Sequence, residues 1–363
     1  MFDAPYYAAL GLSSIHEKVL SGRRLSFDDG LALFNCPDIT AVGALALHAR
    51  RRLHGDAAFY VVNRQINYTN VCVNGCTFCA FRRDEDEEPG AFRLSKEDIL
   101  ERLRAARQSS LHLDELHIVG GCHPKLRLAW FEDVLRTVRG LYPDLPLKAF
   151  TPVEIEHFAR LEGISSQEVL QRLQAAGLVM MPGGGAEIFD EKLRPQICPH
   201  KADAAAWLRI SGEAHALGIK TNCTMLFGHL ENYAQRVDHL CRLREQQDKS
   251  GGFTCFIPLP FLTENSRLKL PEERLGPQSG LDRGRVPADA GQYPPHQGLL
   301  DHDGPQAGPD RALVWGRRPG RHHCGGTHRT YGRGRILPGH DHHGTGKHDP
   351  PVRLQAGTAQ RRF

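Results

Sequence analysis

The stretch Asn67 to Phe81, NYTNVCVNGCTFCAF, places three cysteines within eight positions, at Cys72, Cys76 and Cys79. It overlaps the end of a run rich in β-branched residues, Ala58 to Asn70, so we expect a strand that ends where the cysteine loop begins. Thiols at this spacing indicate a metal or cluster site. Because no second pair of ligands follows at short range, the pattern favours three ligands and one open position. Zinc-binding or merely buried cysteines are the alternative.

The cysteine spacing also indicates which kind of cluster would bind. Ordinary iron–sulfur clusters take four cysteine thiolates, so three would leave one iron open to another ligand. Cys-x-x-x-Cys-x-x-Cys after a first strand resembles the radical S-adenosylmethionine (SAM) superfamily, and Phe78 before the last cysteine matches it. This resemblance implies a [4Fe–4S] cluster held by Cys72, Cys76 and Cys79, with SAM on the open iron.

The length, charge and composition of the chain limit the classes of protein to which it can belong. The chain has 363 residues, enough for one α/β barrel of about 250 residues with extensions. A net charge of +4 without a compact basic arm argues against a nucleic-acid partner. The N-terminal residues contain no long apolar stretch, so we expect no signal peptide and no membrane span. Ten cysteines, three of them clustered, then favour a reduced cytoplasm over disulfides.

Hydrophobic periodicity divides the chain into three parts. Residues 1–57 are predicted to form a helical N-terminal extension, broken at Gly22 and Pro37. Residues 58–276 alternate strands with helices, which predicts parallel strands with right-handed crossovers and a partial or complete (β/α) barrel. Its strands after the cysteine loop are predicted at Glu115–Pro124, Leu145–Glu154, Gly177–Glu187, Lys220–His229 and Gly251–Phe261. Its helices are predicted at Leu94–Gln108, Leu128–Leu141, Ser166–Ala176, Asp203–Leu217 and Tyr233–Gln247.

Unusual residues fall at the carboxyl ends of these strands, where barrels of this class carry their working groups. Glycines there would let a ligand approach the backbone, while charged groups would suit an acidic substrate. Each also has a structural explanation: a glycine that ends a strand, a hydrogen-bonded histidine, or a solvated surface charge. The residues are Gly120, Gly121, His123, Thr151, Glu154, Gly183, Gly184, Gly185, Glu187, Arg194, Lys201 and His229.

A closer resemblance extends from about Leu25 to Asn265. ELHIVGGCHP, KAFTPVEIEHFA, MPGGGAEIF, ICPHKADAAAWL and TNCTMLFGHLE, together with the cysteine loop, resemble the aminofutalosine synthases of menaquinone biosynthesis. Gly120 and Gly121 match the superfamily's SAM-contacting stretch, although Cys122 occupies its third position. For cofactor binding we assign Phe78, Gly120, Gly121, Thr151 and Glu154. For substrate binding we assign His123, Gly183, Gly184, Gly185, Arg194 and Lys201, and the candidates for catalysis are His229, Glu187 and Arg194.

The resemblance implies a reaction and its partners. The deoxyadenosyl radical of SAM would add to 3-[(1-carboxyvinyl)oxy]benzoate, giving 6-amino-6-deoxyfutalosine with loss of a carboxylate and release of methionine. A reductant such as flavodoxin or ferredoxin would supply the electron. Two alternatives stay open: another radical SAM enzyme of the same pathway, such as a dehypoxanthine futalosine cyclase, or a non-catalytic or impaired product.

The C-terminal part departs from this pattern. From about Gly284 arginine, glycine, proline and histidine dominate, and nine of the 20 histidines lie beyond Gln292. When Gly291–Gly304 is back-translated with one allowed set of codons and the first base is dropped, the new frame encodes DNIPHIKAYWIMT. This sequence resembles the segment expected at this point of the family. We infer a frameshift upstream of Gly291, and we predict that 277–363 is an aberrant tail without a packed core. Its histidine-rich runs are then a consequence of the shifted frame and not a metal site.

Overall fold

The computed structural model describes residues 2–108 and 112–271, together with two short strands further along the chain. Six parallel strands form one sheet in the order β2-β3-β4-β5-β6-β7, which is their order in the sequence. This is the partial barrel that the alternating pattern predicts, with two strands fewer than a closed eight-stranded barrel in the described residues. The strands are β1 Phe59–Val61, β2 Asn63–Asn67, β3 Glu115–Val119, β4 Leu147–Ala149, β5 Leu178–Met181, β6 Lys220–Phe227 and β7 Phe253–Pro260.

Helices cover the outer face of the sheet and the N-terminal side. They are α1 Ala4–Ala9, α2 Ser13–Ser21, α3 Phe27–Asn35, α4 Ile39–His54, α5 Lys96–Gln108, α6 Leu128–Leu141, α7 Pro152–Glu162, α8 Ser166–Ala176, α9 Arg194–Ile197, α10 Ala204–Ala216 and α11 Tyr233–Ser250. The N-terminal helices pack on α11: Gly30 lies against Val237, and Arg24 donates to both carboxylate oxygens of Asp248. In the described residues, no helix is long and apolar enough to cross a membrane.

The sequence pattern located α6 and α8 to the residue, but it was wrong between Leu145 and Glu154. The strand there ends at Ala149, and α7 begins at Pro152. Phe150 has a positive φ of 56°, which turns the chain out of the strand. Thr151 then caps α7 in a capping box with Glu154, so both residues belong to a helix start. The pattern also missed the short helix α9.

Alternate side chains of the first three sheet strands pack outward against the helices. Ile66 of β2, Leu116 and Ile118 of β3 and Leu147 of β4 are buried in one cluster with α5, α6 and α8. Phe131 of α6 lies 5.1 Å from Phe150 and 4.6 Å from Phe158, centroid to centroid. Burying side chains of this size contributes about 2–3 kcal/mol each, which holds these strands to their helices.

A second cluster lies beside the cysteine loop. It joins Cys76 and Cys122 to Trp207 of α10 and to Phe256 of β7. Trp207 is fully buried and donates its indole N–H to the carbonyl oxygen of Gly184. This buried hydrophobic cluster therefore supports the loops at the carboxyl ends of β3, β5 and β6.

The remaining strands form a separate small sheet. β8 Gly298–Leu299 and β9 Arg329–Thr330 pair with β1 on either side. Apart from these two strands, the tail predicted over 277–363 lies outside the described residues. The boundaries at residues 57 and 276 stay a prediction.

Candidate active site

The cysteine loop is anchored by the segment that follows it. Asn70 is buried, donates its side-chain amide to the carbonyl oxygen of Gly90 and accepts from the backbone N–H of Phe92. The backbone N–H of Cys72 donates to the carbonyl oxygen of Arg83 at 3.0 Å. These bonds fix the first half of the loop before any ligand arrives.

The second half of the loop is held by other elements. Thr77 donates its backbone N–H to the carbonyl oxygen of Ile197 in α9, at 2.8 Å. Val73 donates to the carbonyl oxygen of Cys122, which follows β3. Ser266, beyond β7, donates its hydroxyl to the carbonyl oxygen of Thr77. Residues from both ends of the sheet therefore position the three cysteines.

The thiols of the loop differ in their surroundings. A hydrogen bond with the thiol of Cys122 lowers the pKa of Cys72 to about 6, with further help from the backbone N–H of Asn74. Burial raises the pKa of Cys76 to about 12, although the ammonium of Lys201 acts in the opposite direction. Of these two thiols, Cys72 is therefore the one that loses its proton more readily.

The donor chemistry of the loop fits a cluster better than a single ion. Among the described residues, no three His, Cys, Asp or Glu side chains converge closely enough to hold one metal ion. In a four-iron cluster each thiolate binds a different iron, so three thiols spaced along one loop suit it. The side-chain oxygen of Asn74, in the middle of the loop, is also buried without a hydrogen-bond partner.

Gly120 and Gly121 are required by close packing after β3. A Cβ on Gly120 would lie 2.8 Å from the ring of Tyr68, and one on Gly121 would lie 2.2 Å from the carbonyl oxygen of Val71. The backbone N–H of Gly121 donates to the carbonyl oxygen of Thr69. The pair therefore lets the cysteine loop lie directly on β3, and contact with a bound ligand stays a prediction.

Glu154 lies at the centre of a buried hydrogen-bond network. One carboxylate oxygen accepts from the hydroxyl of Tyr68 at 2.8 Å and from the backbone N–H of Gly120 at 3.1 Å. The other accepts from the backbone N–H and the hydroxyl of Thr151. Burial raises the pKa of Glu154 to about 7, against the effect of these bonds. Both oxygens accept hydrogen bonds within the protein, and Glu154 holds the backbone of Gly120. Cofactor binding by Glu154 and Thr151 stays a prediction.

Gly183, Gly184 and Gly185 form a turn that presses on β6 and α7. A Cβ on Gly183 would lie 2.4 Å from the carbonyl oxygen of Asn222, and Gly185 has a positive φ of 86°. Thr224 donates its hydroxyl to the carbonyl oxygen of Gly183 at 2.7 Å. The turn thus has a fixed shape.

Arg194 is not available as a cation for a substrate in this structure. Its guanidinium is buried and donates to four carbonyl oxygens, those of Gly185, Ala186, Ile188 and Ala202. No carboxylate is among these partners. The physical reason is local: the turn after β5 leaves several carbonyls without strand partners, and Arg194 satisfies them. These bonds indicate that Arg194 positions the backbone around it, and its predicted role in substrate binding or catalysis stays a prediction.

Lys201 and Glu187 form a buried ion pair beside the cysteine loop. The ammonium nitrogen lies 2.6 Å from a carboxylate oxygen, and both side chains are at most 10% exposed. Lys201 also lies over the ring of Phe78, 5.2 Å from its centroid. Burial opposes the charge, but the thiolate of Cys76 and the carboxylate of Glu187 hold the pKa of Lys201 well above its usual value.

The two predicted site histidines differ in their bonding. His123 places its Nε2 2.9 Å from a carboxylate oxygen of Asp86, and its Nδ1 accepts from the backbone N–H of Lys125. His229 is fully buried, with its Nδ1 3.2 Å from a carboxylate oxygen of Glu231. Burial lowers the pKa of His229, so it is a neutral imidazole near pH 7.

Sequence analysis did not identify a row of polar side chains on the inner face of the sheet, which we call the polar stripe. On β2, β3, β4 and β6, the side chains on the face of the sheet that points away from the helices are polar. Several of them are buried and form hydrogen bonds with one another. His117 and Lys148 both contact Glu115, at 2.7 and 3.3 Å, and together they lower its pKa to about 2 despite burial. The signal was present, since polar residues alternate in strands that would otherwise be apolar on both faces. The stripe comprises Asn63, Gln65, Asn67, Glu115, His117, Lys148, Asn222 and Thr224.

Comparison with known proteins places this arrangement in a family. The model of the radical SAM superfamily matches residues 66–243. The aminodeoxyfutalosine synthase of Thermus thermophilus is 42% identical over 271 residues, which cover 75% of this chain and 72% of that protein. The chain belongs to the radical SAM superfamily. It is a radical SAM enzyme with a transferase-type reaction, and the family implies a [4Fe–4S] cluster and SAM.

Other known proteins are also similar to this chain. The aminodeoxyfutalosine synthase of Streptomyces coelicolor is 43% identical over 68% of this chain and 63% of its own length. A 5-amino-6-(D-ribitylamino)uracil–L-tyrosine 4-hydroxyphenyl transferase of Methanopyrus kandleri is 41% identical over 61% of this chain and 59% of its own length. Among solved structures, methylornithine synthase has a TM-score of 0.59 at 16% identity, covering 82% of this chain and 90% of that chain. That likeness extends to the fold alone.

Proposed function

We propose that the chain acts as an aminofutalosine synthase, joining an adenosyl group from SAM to 3-[(1-carboxyvinyl)oxy]benzoate and releasing methionine and a carboxylate. The 42% identity to a protein of that activity over three quarters of the chain carries the proposal. The product would be 6-amino-6-deoxyfutalosine. SAM is then consumed as a substrate.

Cys72, Cys76 and Cys79 would hold the cluster in this proposal. When bound, the cluster and SAM supply a carbon-centred adenosyl radical, which is the difficult chemistry of the reaction. The protein's own contribution is geometry: the loop is fixed from both sides, and Gly121 lets it lie on β3. Three thiolates leave one position of a four-iron cluster for SAM.

The inner face of the sheet is the proposed place for the second substrate. The polar stripe includes residues of β2 and β3, whose carboxyl ends carry the cysteine loop and the pair Gly120 and Gly121. Gln65 donates its amide to Asn67 at 3.0 Å, and Thr254 donates its hydroxyl to the amide oxygen of Asn222. Such ordered polar groups would orient a dicarboxylate and keep its double bond near SAM.

A second candidate activity has its own support. Relatives named as 5-amino-6-(D-ribitylamino)uracil–L-tyrosine 4-hydroxyphenyl transferases are 41% and 39% identical to this chain. Their name states that they act on a ribitylaminouracil and tyrosine. The lower identity and coverage place this activity behind the synthase.

Product analysis separates the two candidates. The anaerobically reconstituted protein is incubated with SAM labelled at the 5′ carbon, a reductant and either the enol ether or the ribitylaminouracil with tyrosine. The synthase proposal expects the labelled carbon in a covalent product with the enol ether. Labelled 5′-deoxyadenosine alone, together with a tyrosine-derived product, would reject it. The variant Cys72→Ala is the inactive control, and Cys36→Ala, which changes a buried cysteine of the N-terminal helices, is the matched active control.

A further inference from the structure

The ion pair of Lys201 and Glu187 lies where fixed charges would act on a cluster. The ammonium of Lys201 lies 5.2 Å from the centroid of the ring of Phe78, which directly precedes Cys79 in the cysteine loop. Both charged groups are almost fully buried, so water and salt screen them little. A cation close to a cluster stabilises the reduced form, and an anion stabilises the oxidised form.

Several hydrogen bonds hold the backbone around the ion pair in place. Arg194 donates to the carbonyl oxygens on both sides of Glu187, those of Ala186 and Ile188, and to that of Ala202 after Lys201. Glu187 has a positive φ of 49°, and its own carbonyl oxygen accepts from the backbone N–H of Leu226. A residue other than glycine adopts this conformation only where its surroundings enforce it. One buried guanidinium thus fixes the positions of both charges.

We propose that Lys201 and Glu187 are positioning residues that set the reduction potential of the cluster through their opposed charges. Lys201 raises the potential, and Glu187 offsets most of that effect. The inference rests on the proposed cluster ligands, and it adds a task for two residues that the sequence associates only with substrate binding and catalysis. It also explains why the pair is buried, although neither group needs to touch the second substrate.

The test is a potentiometric titration of the reconstituted cluster, followed by electron paramagnetic resonance without SAM or substrate. Glu187→Gln leaves the ammonium of Lys201 without its opposing charge. The midpoint potential of the cluster in this variant should therefore be more positive than in the wild type. Adding Lys201→Met to Glu187→Gln should bring the potential back towards the wild-type value. Glu191→Gln and Lys192→Met change exposed charges of the same segment and should leave the potential unchanged.

Iron and sulfide analysis and the melting temperature accompany each titration, so that a loss of cluster is not mistaken for a change of potential. The inference would be overturned if the midpoint potential of the cluster in Glu187→Gln equalled that in the two exposed-charge variants. It would also be overturned if that potential lay below the wild-type value. The titration contains no substrate, so its result does not depend on whether the synthase proposal is correct. Conversely, an unchanged potential in a protein that still forms the labelled product would reject the electrostatic role alone.

Discussion

Replacing Arg194 tests whether this side chain holds the loops or binds a substrate. In Arg194→Met the carbonyl oxygens of Gly185, Ala186, Ile188 and Ala202 lose their donor in a buried region. Hydrogen bonds to a charged group contribute about 1.5–3 kcal/mol each, but neighbouring bonds are not additive and water can replace some of them. We expect a loss of about 3–5 kcal/mol in the free energy of unfolding, comparable to breaking a buried ion pair.

This loss is large against a typical stability of about 5–15 kcal/mol. At roughly 2–3 °C per kcal/mol for a domain of this size, the melting temperature should fall by roughly 10 °C. Differential scanning fluorimetry of the anaerobic protein measures it, and iron analysis reports whether the cysteine loop still takes up a cluster. The matched control is Arg209→Met, because Arg209 makes ion pairs with Glu213 and Glu156 from a half-exposed position. Exposed pairs are worth at most about 1 kcal/mol.

The two roles of Arg194 separate cleanly in this experiment. A positioning role lowers the melting temperature whether or not substrate is present. If Arg194→Met instead has the melting temperature of the wild type, while its KM for the enol ether rises tenfold or more, the side chain binds substrate and does not hold the loops.

Three further changes probe other parts of the account. Cys72→Ala should abolish product formation and lower iron content, whereas Cys36→Ala should retain both, and an active Cys72→Ala would remove the cluster assignment. Gly121→Ala should reduce iron content, since its Cβ would lie 2.2 Å from the carbonyl oxygen of Val71, and normal iron content would show that the loop is not held this closely. Glu154 has a folded pKa of about 7 against an ordinary 4.5, so stability should fall by about 3 kcal/mol as pH rises between these values. In Glu154→Gln, urea unfolding measured from pH 4.5 to 8 should lose most of this slope, and an unchanged slope would contradict the burial argument.

The fold was largely predictable because each strand and helix repeats one simple pattern. α6, from Leu128, and α8, from Ser166, present apolar residues at helical spacing and were located to the residue. α7 was missed because Pro152 follows a strand directly, and the apolar run through Phe150 hides the turn between them. A positive φ at a phenylalanine is set by tertiary packing, which the local sequence does not reveal.

The sequence predicts the thiols of the candidate site more directly than it predicts the roles of the charged residues. Cysteine spacing indicates a cluster whatever the rest of the fold, so Cys72 and its neighbours stood out at once. An arginine after a glycine turn has the same sequence signature whether it binds a substrate or its own backbone. Only the carbonyl oxygens around Arg194 distinguish the two. The polar stripe was overlooked because its alternation was not compared with the apolar strands expected of a buried parallel sheet.

The central claim is that the three loop thiols leave one iron of the cluster for SAM. Electron–nuclear double resonance of the reduced protein, with SAM carrying ¹⁵N in its amino group, measures this directly. The account predicts a coupling between the ¹⁵N nucleus and the cluster that disappears when unlabelled SAM is used. A cluster that binds without such a coupling, and whose signal SAM leaves unchanged, would contradict it.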